Sequence, residues 1–210
     1  MPASPAPFPR LRALAAVALA GGFALLVATS PPAFFLEAGA LCLLWMPASA
    51  LASPPGLLAR LRPRLADVLL GLGSAAVLYL GTRAFLWAFC GGFTDALCAP
   101  LRGTVGRFEA RSLVGALAIV VLIAPAEELF WRGFVQGWLE ARLGRAAAVP
   151  VAVAFAVLLA LGTGEPFLAL ATLPTYAAWG ALAAWRRSLV PAIVSHATWS
   201  VLVASLAPPG

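Results

Sequence analysis

The fold is decided by residues 117–139, which read LAIVVLIAPAEELFWRGFVQGWL. The run is apolar and long enough to cross a bilayer, for which about 20 residues are needed, yet it contains Glu127, Glu128 and Arg132. A charged side chain at the centre of a membrane helix costs about 2.5–3.5 kcal/mol on insertion scales, so such residues persist where they pair or line a wet cavity. The stretch therefore predicts a membrane helix that carries a functional site.

The composition of the whole chain indicates a polytopic membrane protein. Hydrophobic residues make up 62% of the 210 residues, charged residues make up 10%, and the mean hydropathy is +0.96. These values lie outside the usual range of soluble globular domains. The net charge of +6 comes from arginine, because the chain has no lysine, and the arginines fall mainly between apolar runs. This pattern is typical of membrane topology and argues against nucleic-acid binding.

Seven apolar runs predict an all-α fold, a polytopic transmembrane bundle of about seven helices. The runs cover residues 11–29, 33–53, 67–90, 112–139, 146–163, 167–185 and 189–207. Proline and glycine clusters separate them, as expected for residues that interrupt helices. The fourth run is too long for one perpendicular span, so we expect it to tilt or to leave the bilayer near residues 136–145. Pro125 should loosen this helix just before the glutamates.

The arginines predict an orientation with the N-terminus in the cytoplasm, and we expect the membrane to be a bacterial inner membrane. Nine then lie inside and three outside, and Lys and Arg are known to favour the cytoplasmic side. The inside residues are Arg10, Arg12, Arg60, Arg62, Arg64, Arg142, Arg145, Arg186 and Arg187, and the outside residues are Arg102, Arg107 and Arg111. The first run is nearly long enough to span alone, so we expect a retained helix rather than a cleaved signal peptide.

No internal repeat, low-complexity region or linker divides the chain, so we expect one integrated membrane domain. Within it, residues 1–111 hold three N-terminal spans. Residues 112–207 hold the charged motif and form the predicted functional core.

The three cysteines, Cys42, Cys90 and Cys98, have neither metal-ligand spacing nor the pattern of a disulfide framework. Only Cys90 and Cys98 flank one loop and could pair. We expect free apolar thiols instead, because cysteine is common in apolar surroundings.

Glu128 and Arg132 lie four residues apart, so a helix places them on one face where they can pair, while Glu127 is rotated by about 100°. One glutamate can therefore be neutralised while the other stays available. A glutamate in an apolar pocket is suited to take a proton from water near neutral pH. The alternative is a buried ion network that only locks helices together, or a group of charges solvated at the headgroups.

The single histidine, His196, lies in the last apolar run. A lone membrane histidine more often makes a hydrogen bond between helices than acts as a catalyst. The two glutamates make a role of His196 at a functional site a stronger interpretation. His196 and Ser200 share a helix face and could direct two donors to one point. Such a pair could hold an oxyanion. Tyr176, in the sixth run, is a further candidate donor toward the same place.

These motifs resemble those of the CAAX-processing and bacteriocin-immunity (CPBP, or Abi) intramembrane proteases, which include the type II CAAX prenyl endopeptidases. The family signature is Glu-Glu-x-x-x-Arg, then Phe-x-x-x-His, then His-x-x-x-Asn or Asp. The segment APAEELFWRGF, residues 124–134, matches the first motif with its flanks, and the resemblance covers roughly residues 112–207. It implies that Glu127 activates water for attack on a peptide bond. It also implies that Glu128 and Arg132 brace the site and that His196 and Ser200 stabilise the oxyanion.

Two positions depart from the family pattern. Residues 155–159 read FAVLL at the second motif, so Leu159 stands where the family has the histidine that shares the catalytic water. Ser200 replaces the usual Asn or Asp of the third motif. Leucine cannot accept a proton and a serine hydroxyl is shorter than an amide. We therefore expect weaker water activation and weaker oxyanion stabilisation.

Three functions remain open from the sequence. The first is a glutamate-dependent intramembrane peptidase that cleaves a membrane-associated or C-terminally anchored protein. The second is a catalytically inactive scaffold of the same family, and the third is a small proton-coupled transporter, against which the absence of an inverted repeat counts. We favour the peptidase, because retaining two buried carboxylates without catalysis would be costly. The expected partners are a protein or peptide substrate and the lipid bilayer, without nucleic acid, metal or other cofactor.

Overall fold

The structure is a computed structural model that describes residues 10–92, 95–107 and 112–205. Every regular element within these ranges is a helix, which confirms the predicted all-α fold. The helices are α1 (Arg10–Thr29), α2 (Phe34–Ala52), α3 (Leu57–Arg60), α4 (Leu65–Gly92), α5 (Asp95–Arg107), α6 (Leu113–Leu143), α7 (Arg145–Gly162), α8 (Pro166–Arg186) and α9 (Val190–Ser205).

Six of these helices, α1, α2, α4, α6, α7 and α8, are long and apolar enough to cross a membrane. The seventh predicted span corresponds to α9, which has 16 residues and a length of about 24 Å at 1.5 Å per residue. It is apolar but shorter than the six candidate spans, and it packs along α4. The architecture is therefore a polytopic helical bundle, as predicted.

The helix α6 carries the charged motif and changes its winding along its length. Its α-helical segments, Leu113–Ala118, Ala124–Glu128 and Gln136–Leu143, are joined by π-helical turns at Ile119–Ile123 and Leu129–Val135. Pro125 has no N–H to donate and its ring crowds the carbonyl four residues earlier, so a regular α-helix cannot pass through it unchanged. The wider turns on either side accommodate this irregularity, and such turns frequently occur at functional sites.

The same helix lies at the centre of the bundle. Half of its apolar window is buried, against 17–33% for the other candidate spans. It packs against α2, α7 and α9, and the main apolar core includes Trp45 of α2 together with Phe130 and Phe134 of α6. The charged residues are therefore carried by the most enclosed span.

Close contact between α4 and α9 depends on Gly71. A Cβ at this position would lie 2.8 Å from the carbonyl oxygen of Pro191 and 2.8 Å from Cβ of Val194, closer than real Cβ contacts. Small residues let membrane helices approach in this way. Gly71 therefore helps to set the position of α9, the helix that carries His196.

Three connections that were predicted to be cytoplasmic meet at one end of the bundle. The N–H of Leu189 donates to the carbonyl of Arg60 at 2.9 Å, and Arg186 Nε donates to Asp67 Oδ1 at 2.8 Å. Burial lowers the pKa of Arg60, and the nearby carboxylate of Glu140 opposes this shift. These contacts place Arg60 and Arg186, which were both predicted to lie inside, at the same end of the bundle. Which side of the membrane this end faces stays a prediction.

Cys90 and Cys98 form a disulfide, with 5.1 Å between their Cα atoms. The expectation of free thiols is wrong for this pair, because α5 contacts α4 and brings the two side chains together. It is correct for Cys42, which is free and buried in α2. The bridge lies in the third connection, the one predicted to face outside, and disulfides persist in oxidising compartments.

Candidate active site

The two adjacent glutamates of α6 have different surroundings. Glu128 is fully buried between helices, whereas Glu127 is partly exposed and borders a cavity. Neighbouring positions on a helix point about 100° apart, so the two side chains cannot share one environment. One carboxylate therefore takes part in packing and the other is accessible from the cavity.

Glu128 is shared by two partners through one oxygen. Arg132 Nη1 donates to Glu128 Oε1 at 3.1 Å from the same helix, and His196 Nδ1 lies 2.8 Å from the same oxygen. The pairing of Glu128 with Arg132 that the spacing predicted is therefore present. All three side chains are buried, and a buried charge is stable only while its partners remain in place.

Arg132 also connects α6 to α8. Its Nη2 donates to the backbone carbonyl of Tyr176 at 3.1 Å, and its guanidinium carbon lies 4.3 Å from the centre of the Tyr176 ring. A guanidinium can do both, because its donors form a fixed planar fork and its face stacks on aromatic rings. Arg132 therefore fixes the stretch of α8 that lies beside Glu127.

Tyr176 contacts Glu127 directly: its hydroxyl donates to Glu127 Oε2. The sequence suggested Tyr176 only as a further donor toward the site, without a partner. Its ring lies edge-on to Trp131, with 5.7 Å between ring centres, and tilted against Trp179 at 5.6 Å. The phenol is therefore held on both sides by aromatic neighbours.

Trp179 positions the imidazole of His196, and none of the sequence motifs pointed to it. The two rings are stacked, with their centres 4.0 Å apart and their planes 15° apart. Trp179 Nε1 donates to Ser195 Oγ at 3.0 Å, and Ser195 Oγ donates to Ser74 Oγ at 3.1 Å. The signal available in the sequence is the spacing of three residues between Tyr176 and Trp179, which places both on one face of a helix.

A cavity of about 870 Å³ is bordered by some, but not all, of the predicted site residues. Glu127, Tyr176, His196 and Ser200 all border it, and so does Leu159 of α7. Glu128 and Arg132 lie behind its wall. The second-motif position therefore does lie at this cavity, but its side chain is apolar.

One side of the cavity is bordered by apolar side chains that are also exposed on the outer surface of the bundle. They come from α4 and α8 and include Val77, Phe85, Leu170 and Leu173. In a membrane such residues face lipid, where apolar surface costs little. The cavity is therefore bordered on this side by surface that the bilayer would cover.

No group of three or more His, Cys, Asp or Glu side chains in the described part of the chain is arranged to hold a metal ion. The imidazole of His196 contacts the carboxylate of Glu128, and the carboxylate of Glu127 accepts a hydrogen bond from Tyr176.

Residues 109–202 match the family model for the type II CAAX prenyl endopeptidase Rce1-like proteins. The match confirms the resemblance that the first motif indicated, and it includes every residue described above at the site except those of α4. No curated protein and no solved structure matches the chain with statistical significance.

Proposed function

We propose that this chain, whose residues 109–202 match the family model for the type II CAAX prenyl endopeptidase Rce1-like proteins, is an intramembrane endopeptidase that uses glutamate-activated water. The substrate is a membrane-associated or C-terminally anchored protein. The observation that carries the proposal is that Glu127 and His196 border one cavity inside a bundle of membrane-length helices. A base and an oxyanion donor must both reach the same bound peptide.

Glu127 is the general base in this proposal. One of its oxygens accepts the Tyr176 hydroxyl, and a carboxylate has a second oxygen that can accept from water. As that water attacks the scissile carbonyl carbon, its proton passes to Glu127 and the carbonyl oxygen becomes an anion. The same proton then passes to the leaving amine nitrogen as the peptide bond breaks.

His196 and Ser200 hold the developing oxyanion. Since Nδ1 of His196 donates to the buried Glu128 carboxylate, a second proton on Nε2 gives an imidazolium whose other N–H serves as the donor. Glu128 balances the charge of this ring, and Arg132 holds Glu128 in place. The Ser200 hydroxyl, one turn further along α9, is the second donor.

The composition of the cavity walls favours a hydrophobic substrate. Apart from the proposed reacting groups they are mostly apolar, and the exposed residues of α4 and α8 offer a route from the bilayer. Helices from residues 1–111 supply part of the wall, so the N-terminal spans and the core of residues 112–207 act as one membrane domain. We place this domain in a bacterial inner membrane with its N-terminus in the cytoplasm.

Glu127→Gln tests the proposed base. The assay uses the full chain in liposomes and a fluorogenic peptide that ends in an S-farnesylated CAAX sequence. We expect the rate of cleavage to fall by about 100-fold or more, because general acid–base catalysis contributes at least about this factor to the rate. Membrane insertion and thermal unfolding should stay unchanged. Glu37→Gln is the control, because Glu37 lies exposed on α2. Equal cleavage by the wild type and Glu127→Gln would overturn the proposal.

The apolar side chain of Leu159 at the cavity favours a second candidate, an inactive scaffold that binds membrane segments. A scaffold should bind the farnesylated peptide equally well in the wild type and in Glu127→Gln, and neither protein should cleave it. A proton-coupled carrier should instead lose pH-dependent flux in Glu127→Gln.

A further inference from the structure

We propose that Tyr176 is a positioning residue, whose hydroxyl holds the Glu127 carboxylate at the cavity wall in the orientation that water activation needs. The inference rests on the proposed function of Glu127 as the base. It adds a residue that belongs to none of the three sequence motifs.

Two contacts of Tyr176 support this role. Its hydroxyl donates to Glu127 Oε2, and its backbone carbonyl accepts from Arg132 Nη2 at 3.1 Å. Arg132 is itself fixed to the buried Glu128 at 3.1 Å. Glu127 and Arg132 of α6 therefore both hydrogen-bond to Tyr176 of α8. The contacts form a continuous series from Glu128 through Arg132 and Tyr176 to Glu127.

The cavity explains why Glu127 needs such a partner. A glutamate side chain has several rotatable bonds, and beside a cavity of about 870 Å³ it has room to take several rotamers. Misplacing a catalytic group by about 1 Å can cost about 100-fold in rate. The hydrogen bond from Tyr176 selects one rotamer from this set.

Tyr176 is itself rigid enough to do this. The Arg132 guanidinium lies 4.3 Å above its ring centre, and the rings of Trp131 and Trp179 lie at 5.7 and 5.6 Å. A tyrosine has only two side-chain torsions, so little freedom remains to be lost once the ring is packed. The hydroxyl therefore presents a fixed donor to the carboxylate.

A phenol is also a suitable partner for a carboxylate that acts as a base. It is neutral at neutral pH and donates a single hydrogen bond, so it occupies one oxygen of Glu127 without neutralising the carboxylate. The other oxygen stays available to water. Leu159 supplies no polar group from the α7 side of the cavity, so positioning of Glu127 falls to α8.

Kinetics of Tyr176→Phe provide the first test, with Tyr79→Phe as a matched control, since these are the two tyrosines of the chain. With the farnesylated peptide in liposomes, we expect Tyr176→Phe to lower kcat by about 10- to 100-fold and to leave KM within about twofold. Tyr79→Phe should change neither constant. A purely structural role would instead raise KM or lower the unfolding temperature with little selective effect on kcat. An unchanged kcat in Tyr176→Phe would overturn the proposal.

Nuclear magnetic resonance gives a second test that does not depend on cleavage. Tyrosine labelled with ¹³C at Cζ yields two signals, assigned with Tyr79→Phe and Tyr176→Phe. We expect both Glu127→Gln and Glu127→Asp to move the Tyr176 signal and to leave the Tyr79 signal in place. The unchanged Tyr79 signal also shows that the bundle is still folded.

The two tests separate the two proposals. If the Tyr176 signal moves but the wild type cleaves no peptide, the proposed function fails and the contact between Tyr176 and Glu127 stands. If the wild type cleaves the peptide but neither glutamate variant moves the Tyr176 signal, the positioning role fails and the proposed function stands.

Discussion

Oε1 of Glu128 and Nδ1 of His196 lie 2.8 Å apart and join α6 to α9. The same oxygen accepts from Arg132 at 3.1 Å. One buried carboxylate therefore supports both the cation of its own helix and the single imidazole of the chain. The position of His196 at the cavity depends on a residue that does not border the cavity itself.

Glu128→Gln should destabilise the protein. It removes the negative charge and leaves Arg132, which is 2% exposed, buried without its counter-ion. Removing one partner of a buried pair costs about 3–5 kcal/mol, so we expect the free energy of unfolding in detergent micelles to fall by about 3 kcal/mol. The exposed Glu37 again provides the matched control, and Glu37→Gln should leave stability unchanged. Equal stability of Glu128→Gln and the wild type would show that the cluster is not held together by charge.

Gly71→Ala should disturb the contact between α4 and α9. The added methyl group would lie 2.8 Å from the Pro191 carbonyl oxygen, so α9 must move and carry His196 with it. Overpacking of this kind costs about 1–3 kcal/mol, and we expect a lower unfolding temperature together with slower peptide cleavage. Gly73→Ala is the control, because nothing lies within 4 Å of a Cβ at Gly73. Similar behaviour of the two variants would contradict a specific role for Gly71.

Replacing Cys90 and Cys98 together by serine should lower the free energy of unfolding by about 2–3 kcal/mol, the value for a loop of this size, since the bridged residues are separated by eight positions. Thermal unfolding in micelles measures this loss. Maleimide labelling of the unfolded wild type should count one thiol without reductant and three with it, because Cys42 is the free cysteine. Three labelled thiols without reductant would contradict the bridge.

The positions of the membrane helices could be predicted from the sequence for a physical reason. A chain in lipid must satisfy its backbone hydrogen bonds within each segment, so an apolar run of about 20 residues has few structures other than a helix. The bridge between Cys90 and Cys98 could not be predicted in this way. It depends on how α5 lies against α4, which is tertiary information that hydropathy does not carry.

The site shows the same division between local and tertiary information. The pair of Glu128 and Arg132 follows from a spacing of four residues on one helix. The bond between Tyr176 and Glu127 joins residues 49 positions apart, and no spacing reports how α8 is rotated against α6. Trp179 was missed for the same reason, since its stacking on His196 depends on the packing of α8 against α9.

Leu159→His tests whether the apolar second-motif position limits activity. Leu159 borders the cavity, so a histidine there would bring a group that can accept a proton or orient water into the cavity with Glu127. We expect the rate of cleavage of the farnesylated peptide to rise by about 10-fold or more, since positioned acid–base groups contribute about 100- to 10,000-fold. The gain should disappear in the double variant with Glu127→Gln, because the histidine assists the glutamate and does not replace it.

Leu158→His provides the control for this gain. Leu158 is the adjacent residue of α7, is 63% exposed and does not border the cavity, so the same substitution there places an imidazole toward lipid. We expect no increase in cleavage and a lower yield of inserted protein, because polar side chains facing lipid are costly. An equal rise in both variants would mean that the added imidazole acts away from Glu127. An unchanged rate in Leu159→His, with Glu127-dependent cleavage retained, would mean that the Leu159 position does not limit water activation.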